Sequence, residues 1–552
     1  MSKKRAPEII ILGIDGATWK VINQGIKKGL LPNFKKMINE GLWGDLLSTV
    51  PPVTAPAWTS LITGVNPGKH GIFDFLYHPY NSYEIRYLAG GYRKSKTIWS
   101  ILSANQKKIG TINIPMTYPP EKLPEFMISG LDAPGENSNF VYPTSLKQEL
   151  IDKFGEIPLD IHQLAHMKND EIRDLVLKKL KKQEELRTEI SFYLIENYPI
   201  DIFMLVFNAT DQVQHHFWHY FDEKHDFFDE KGSKKYGNAI VDIYQIIDEC
   251  IGKFLNRFPE STFILVSDHG FKATSKNRLH LNNLLAETGL LTFKKTKTVY
   301  STMVKYLYDK LRSSLPAHLK YKLASLFPKL RSKFESQAFL SNIDWENTYG
   351  FAWDFSPTSA SIFVNLTHRF PKGIVPKKER LNIIKRIVTA LDGVTFSDGQ
   401  KLAYYLKEDV YKGENTQIAP DIIVDWWNGS FINSPAPFKK DFITLASNFK
   451  PGEDWSGIHD QKGIFVIYGE NIKQNKKLTL NIVNIAPLVL MLCDLEIPEE
   501  FDGILNEELI ESIKKNTKVK TKKIDLSSKE SSCYSNNEEE EIQKKLKSLG
   551  YL

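Results

Sequence analysis

Residues 8–15 read EIIILGID, and similar runs recur as IDIFMLVFNATD at 200–211, STFILVSDHG at 261–270 and GIFVIYG at 463–469. Short, apolar, β-branched runs of this kind, several of them closing on polar residues, predict parallel strands buried on both faces. Between them lie helical patterns. NDEIRDLVLKKLKKQEELRTEISFYLIENYP at 169–199 carries acids in its first turn and meets a proline at its end. The alternation predicts an α/β fold, a three-layer sandwich around a mainly parallel central sheet. Ligands in such sheets gather at the carboxyl ends of the strands, so the polar residues there are the first functional candidates.

The rest of the chain narrows the class. Its 552 residues allow a sizeable core, in two to four structural units or in one large α/β domain with insertions. With 42% hydrophobic and 25% charged residues it has the make-up of a globular protein, and a net charge of +6 is too small to predict a nucleic-acid partner. Cys250, Cys493 and Cys533 are widely spaced and form no CxxC pair, which predicts reduced thiols and a cytoplasmic protein. MSKKRAPE leads straight into the first strand and leaves no room for an export signal. The most apolar late stretch, LTLNIVNIAPLVLMLCDLEIP at 478–498, is interrupted by Asn481, Asn484 and Pro487; it reads as a buried helix, not a transmembrane span. No Walker loop, GxGxxG or GxSxG motif is present.

Residues 304–336, VKYLYDKLRSSLPAHLKYKLASLFPKLRSKFES, break the strand rhythm with a basic amphipathic pattern. The division that follows is a catalytic core in two parts, 1–295 and 346–512, with a basic helical cap at 296–345. A flexible linker and a short charged helix occupy 513–552. The alternative for the basic insert is contact with an acidic partner or a membrane surface.

Asp15 ends the first run, and Asp268 and His269 end the third, where Gly270 lets the backbone turn. In TDQVQHHFWHY, Asp211 and His215 stand four apart, so a helix puts carboxylate and imidazole on one face, and His219 continues the stripe. His459, in SGIHDQKG just before the last run, offers a further imidazole. Asp and His at several strand ends, without thiolates, predict metal-assisted hydrolysis. The donor set suits zinc, with manganese or iron as alternatives, and a pair of ions would clamp the attacking and leaving oxygens of a phosphoryl displacement.

Thr54 opens the segment TAPAWTSLITG at 54–64. Two readings apply: a helix N-cap, with Pro56 in the first turn and Gly64 past the end, or a hydroxyl activated at a helix N-terminus, where an anion is favoured.

Together IIILGIDG, TAPAWTSLITGVNPGKHGIFDF, DxxxH at 211–215, SDHG at 267–270 and GIH at 457–459 resemble the alkaline phosphatase superfamily. Within it they resemble the type I phosphodiesterase and nucleotide pyrophosphatase group, especially its prokaryotic branch. The closing KKLKSLGYL resembles tails of that branch. The resemblance implies two divalent ions, one held by Asp15, Thr54, Asp268 and His269 and the other by Asp211, His215 and His459. It also implies Thr54 as the nucleophile of a phosphothreonine mechanism acting on a small phosphorylated substrate. One position departs from the pattern: Ala57 stands where nucleotide pyrophosphatases of the group carry an asparagine that holds a phosphoryl oxygen. A sulfatase is disfavoured, because Thr54-Ala55-Pro56-Ala57-Trp58 offers no formylglycine precursor.

Phosphoryl transfer to an acceptor other than water, as in a phosphomutase, is one alternative activity; a non-catalytic binding protein on the same fold is another. Asp132 and Arg369, in turn-rich stretches, are candidate substrate contacts. His70 reads as a loop anchor, and the Trp426–Trp427 pair as edge packing or a stacking surface.

Overall fold

A computed structural model describes residues 6–549 except 160–166, 168, 295–341, 354–357, 359, 397, 430, 435–440, 447–448, 452–453, 514–518 and 529–533. Nearly all of the basic insert predicted at 296–345 lies outside the described residues, as do Cys533 and parts of the linker.

Eleven strands position the site. They are β1 (Ile9–Ile14), β2 (Leu42–Leu47), β3 (Ile109–Ile114), β4 (Phe126–Ser129), β5 (Val141–Tyr142), β6 (Ile202–Phe207), β7 (Thr262–Val266), β8 (Gly270–Ala273), β9 (Gly457–Asp460), β10 (Lys462–Tyr468) and β11 (Lys476–Asn481). All but β8 and β9 form one nine-stranded sheet in the order β11-β2-β10-β7-β1-β6-β3-β4-β5. Strands β7, β1, β6, β3 and β4 run parallel as neighbours. GIFVIYG differs from its prediction: as β10 it runs antiparallel to both β7 and β2. A continuous apolar run fits a buried strand equally well in either direction, so composition carries no sign for it.

Alternation explains the layers. In β1, Ile10, Leu12 and Ile14 enter one apolar cluster while Ile9 and Ile11 enter a second; in β6, Phe203, Leu205 and Phe207 divide from Ile202, Met204 and Val206 in the same way. A sheet whose successive side chains feed two cores needs cover on both faces. One face receives α1 (Trp19–Lys27), through Val21, and further helices described below. The other receives α2 (Thr54–Thr63) through Trp58 and Leu61. Gly13 belongs to this second contact, because a Cβ there would lie 2.5 Å from the Trp58 ring.

The helix predicted at 169–199 is α3 (Asp170–Asn197), started by the Asn169 side chain accepting from the Ile172 N–H. It packs beside α4 (Ala209–Phe221) and α5 (Ala239–Arg257) on the α1 side of the sheet. The stretch at 478–498 is not one buried helix. LTLN completes β11, which pairs in parallel with β2, and a short 3-10 turn at Ile482–Asn484 leads into an α-helix of only eight residues, α6 (Ile485–Leu492). In the strand, Leu478 and Leu480 point inward while Thr479 and Asn481 are exposed, a period of two hidden in a stretch that reads apolar overall. Among the described residues no helix is long and apolar enough to cross a membrane.

Candidate functional site

Because β7, β1 and β6 lie side by side and parallel, their carboxyl ends form one ledge. Asp15 follows β1, Asp268 and His269 follow β7, and α4, which carries Asp211 and His215, starts just after β6. The antiparallel pair β8–β9 folds back over this ledge and supplies His459 opposite Phe271. All of these side chains are buried.

The nitrogen and oxygen atoms fall into two groups. In the first, His269 Nε2 lies 3.2 Å from Asp268 Oδ2, 3.6 Å from Asp15 Oδ1 and 3.2 Å from Thr54 Oγ1. In the second, Asp211 Oδ1 lies 3.3 Å from His215 Nε2 and 3.4 Å from His459 Nε2. The groups adjoin, since Asp211, His269 and His459 are also close enough to share one ion. His219, on the α4 stripe, takes no part in either group. Its buried ring lies against Tyr220 and Phe449.

Each imidazole is oriented from behind by a backbone carbonyl. Nδ1 of His215 lies 3.0 Å from Gly457 O, that of His269 3.0 Å from Gly270 O, and that of His459 2.9 Å from Pro52 O. A carbonyl only accepts, so each Nδ1 carries a proton and donates it, and each ring in its neutral form turns the Nε2 lone pair toward the site. His215 Nε2 and His459 Nε2 then face one another at 3.2 Å as two lone pairs. Asp15 Oδ1 and Asp268 Oδ2 are buried without a hydrogen-bond donor. Facing lone pairs and donorless carboxylate oxygens are unfavourable unless a cation lies among them, so the residues present fit divalent metal ions.

Burial raises the Asp15 carboxyl well above the usual range, with Asp268 and Asp211 adding to the shift. Burial likewise pushes Asp268 up to about 7. Burial would raise Asp211 too, but the protonated forms of His215 and His459 beside it hold it well below the usual value. Burial lowers His269 strongly, and His215 as well, keeping both rings neutral.

Thr54 differs from its cap reading. The N-cap of α2 is Val53, whose carbonyl accepts from Ala57 N–H at 3.0 Å, and Thr54 is already the first helical residue. An N-cap hydroxyl must accept from a first-turn N–H; the Thr54 hydroxyl is directed at His269 instead. Gly64 does close the helix, with φ of 68°.

A family model described as type I phosphodiesterase / nucleotide pyrophosphatase matches residues 9–436, which spans both ligand groups except His459. The chain belongs to the type I phosphodiesterase/nucleotide pyrophosphatase family. It is therefore a metal-dependent phosphoric ester hydrolase within the alkaline phosphatase superfamily. Two solved structures illustrate the likeness of this family member to other proteins. Human ectonucleotide pyrophosphatase/phosphodiesterase 5 is 14% identical with a TM-score of 0.48, covering 95% of this chain and 100% of its own. Phosphonoacetate hydrolase from Sinorhizobium meliloti 1021, in complex with phosphonoformate, is 14% identical with a TM-score of 0.49, covering 86% and 91%. No curated protein matches the sequence.

The remaining candidates of this family member take structural places. Asp132 is buried and accepts from the N–H groups of Gly90 at 3.0 Å, Thr117 at 3.1 Å and Tyr118 at 2.7 Å. Both its oxygens brace a loop, which leaves it unsuited to the substrate contact expected from its turn-rich setting. Arg369 donates to the carbonyls of Ala419, at 3.0 Å, and Ile418, and lies over the Phe363 ring, so it too is committed inside the protein. His70 holds Ser60 Oγ at 2.9 Å and accepts from Ile72 N–H, anchoring the loop after α2. Trp426 and Trp427 are fully buried and pack edge to face, which settles the pair as core.

Several contributors are not visible in the sequence. Glu184, buried on α3, accepts from the N–H groups of Asn208 and Ala209 at 3.0 and 2.8 Å, placing a carboxylate at the N-terminus of α4. Arg187 bridges Glu184 and Asn208 at 2.8 and 2.7 Å. Thr210 and Gln214 on α4 bond the carbonyls of Asp15 and Gly16, tying the two ligand groups together. A small cavity is lined by Asp15, Asp211 and His215 together with Asn113, Pro115, Leu131, Asn208, Gln212 and Leu549.

Proposed function

We propose that the protein hydrolyses a small phosphoric ester through Thr54, with two divalent cations held by Asp15, Thr54, Asp268 and His269 and by Asp211, His215 and His459. Zinc suits a set of three imidazoles and three carboxylates best, with manganese or iron as alternatives. When bound, such ions supply positive charge that favours the alkoxide of a hydroxyl and neutralises phosphoryl oxygens.

The observation that carries the reading is the Thr54 hydroxyl, released from capping and held 3.2 Å from His269 Nε2 where the two groups meet. Thr54 Oγ1 attacks phosphorus; the Oγ1–P bond forms as the bond from phosphorus to the leaving oxygen breaks, and the proton of the hydroxyl ends on the leaving group or solvent. Water then cleaves the phosphothreonine, returning a proton to Thr54 and releasing the phosphate or its monoester. The N–H groups of Thr54 and Ala55 precede the first helical hydrogen bond of α2 and face the anion with the positive end of the helix dipole. His269, kept neutral by burial and oriented by Gly270 O, keeps its lone pair toward this reacting group.

Ala57 is buried in the apolar cluster with Trp58 and Leu61. Its methyl group gives a phosphoryl oxygen no donor, which argues against a nucleotide as the preferred substrate. Cys250 and Cys493 are buried and form no disulfide among the described residues, in keeping with a reducing, cytoplasmic setting.

The test is hydrolysis of an aryl phosphodiester by the metal-loaded protein in ¹⁸O-water. Label is expected in the released phosphoryl product, and Thr54→Ala is expected to lower the rate by at least about 10³-fold while leaving a cation-binding site in each group. Hydrolysis that survives in Thr54→Ala refutes the nucleophile, and isomerised product without label refutes hydrolysis.

A further inference from the structure

The lining of the cavity beside the candidate ligands includes a residue from the last helix described. Leu549, the last residue of helix α7 (Asn536–Leu549), is 4% exposed and lines the same cavity as Asp15, Asp211 and His215. The rest of the lining is apolar at Pro115 and Leu131 and polar but uncharged at Asn113, Asn208 and Gln212.

The helix is fastened to the loop that carries Leu131. Tyr534, just before α7, donates from its hydroxyl to Asp132 O at 2.6 Å, and the buried Lys545 donates from Nζ to Ala133 O at 3.1 Å. The Tyr118 hydroxyl bonds Glu538. Ile542 and Leu546, each 1% exposed, join the apolar cluster of the α1 side of the sheet. Asp132 makes the docking loop rigid through its three backbone N–H bonds, so the tail rests on a fixed support. Tail, loop and ligand groups therefore form one connected wall.

We propose that α7 is part of the substrate cavity and that Leu549 limits the size of the ester group the enzyme accepts, favouring phosphoric esters with a small, uncharged substituent. The inference rests on the hydrolytic reading above and adds a substrate class to it. An isobutyl group in the lining of so small a cavity favours a short alkyl group over a ring. Such a contact is made alike in the ground and transition states, so it acts on KM more than on kcat.

The experiment compares p-nitrophenyl methyl phosphate with p-nitrophenyl phenyl phosphate on the full-length, metal-loaded enzyme. Leu549→Ala is expected to raise the phenyl-to-methyl ratio of kcat/KM by about tenfold, chiefly through KM, and Leu549→Trp to lower it by a similar factor. The inference is overturned if the ratio stays within about twofold of wild type in both variants, or if both esters change by one common factor, as they would if the tail served only stability. Thr54→Ala separates the two claims: its failure to abolish hydrolysis counts against the nucleophile, while the ratio still reports on Leu549.

Discussion

The two candidate ligand groups are equally buried and only a few ångströms apart, yet their carboxyl groups shift in opposite directions. Around Thr54, two carboxylates share one imidazole, and burial drives Asp15 and Asp268 upward, Asp268 to about 7. On α4, one carboxylate shares two imidazoles, and His215 and His459 hold Asp211 well below the usual range. Neighbours, not depth, set the sign. The first group is oxygen-rich with surplus negative charge, whereas the second is nitrogen-rich and already turned outward by its carbonyl locks. Under limiting zinc the second group should load first, and the first should accept harder ions more readily.

The largest effect expected of this contrast lies in metal affinity. His459→Ala should abolish the tighter equivalent of zinc, and Asp268→Asn the weaker one, each by on the order of 10²–10³-fold in affinity, read by equilibrium dialysis with metal analysis. Loss of the same equivalent in both variants would merge the two groups into one.

Next in size is the support of the second group. Glu184→Gln strips Arg187 of its buried counter-charge and α4 of the carboxylate at its start, for a cost of about 3 kcal/mol in denaturant unfolding. Zinc affinity should weaken at the His215 side and hold at the Asp268 side. An unchanged stability would show that the pair is replaceable by neutral hydrogen bonds.

The smallest effect comes from His219, on the same helix but outside both groups. Burial lowers its pKa from 6.5 to about 3. Below pH 6.5 the unfolded chain therefore binds a proton that the folded chain refuses, and stability falls as pH drops from 6.5 toward 3. Between pH 6.5 and 5 the loss from this residue is about 2 kcal/mol. His219→Phe should flatten that part of the stability profile, and an identical slope in the variant would sink the assignment.

The strand ends were legible in the sequence because a ledge of parallel strands needs both an apolar run and a polar terminus, as in GID at 13–15 and SDHG at 267–270. Asp211 and His215 were legible through helical spacing. The direction of β10 was not, since GIFVIYG has the same apolar pattern read either way. Glu184 and Arg187 read as ordinary charges on a long helix, because nothing local says which turn of α3 meets Asn208. Thr54 was ambiguous until its backbone showed that Val53 holds the cap position. Leu549 was hidden for a different reason: Leu131, which lines the same cavity, lies more than four hundred residues away along the chain.

The carbonyl locks behind the three rings belong to Pro52, Gly270 and Gly457, and a carbonyl is the one group that every amino acid retains. Drift in side-chain identity at such positions cannot remove the acceptor; only a change in the path of the main chain can. Gly457 marks where that path is least tolerant, because a Cβ would come within 2.4 Å of Gln214 O on α4. The proton inventory of this site is thus inherited through backbone shape, and descendants of the sequence can replace much of the surrounding chemistry while keeping the same three lone pairs aimed at the same point.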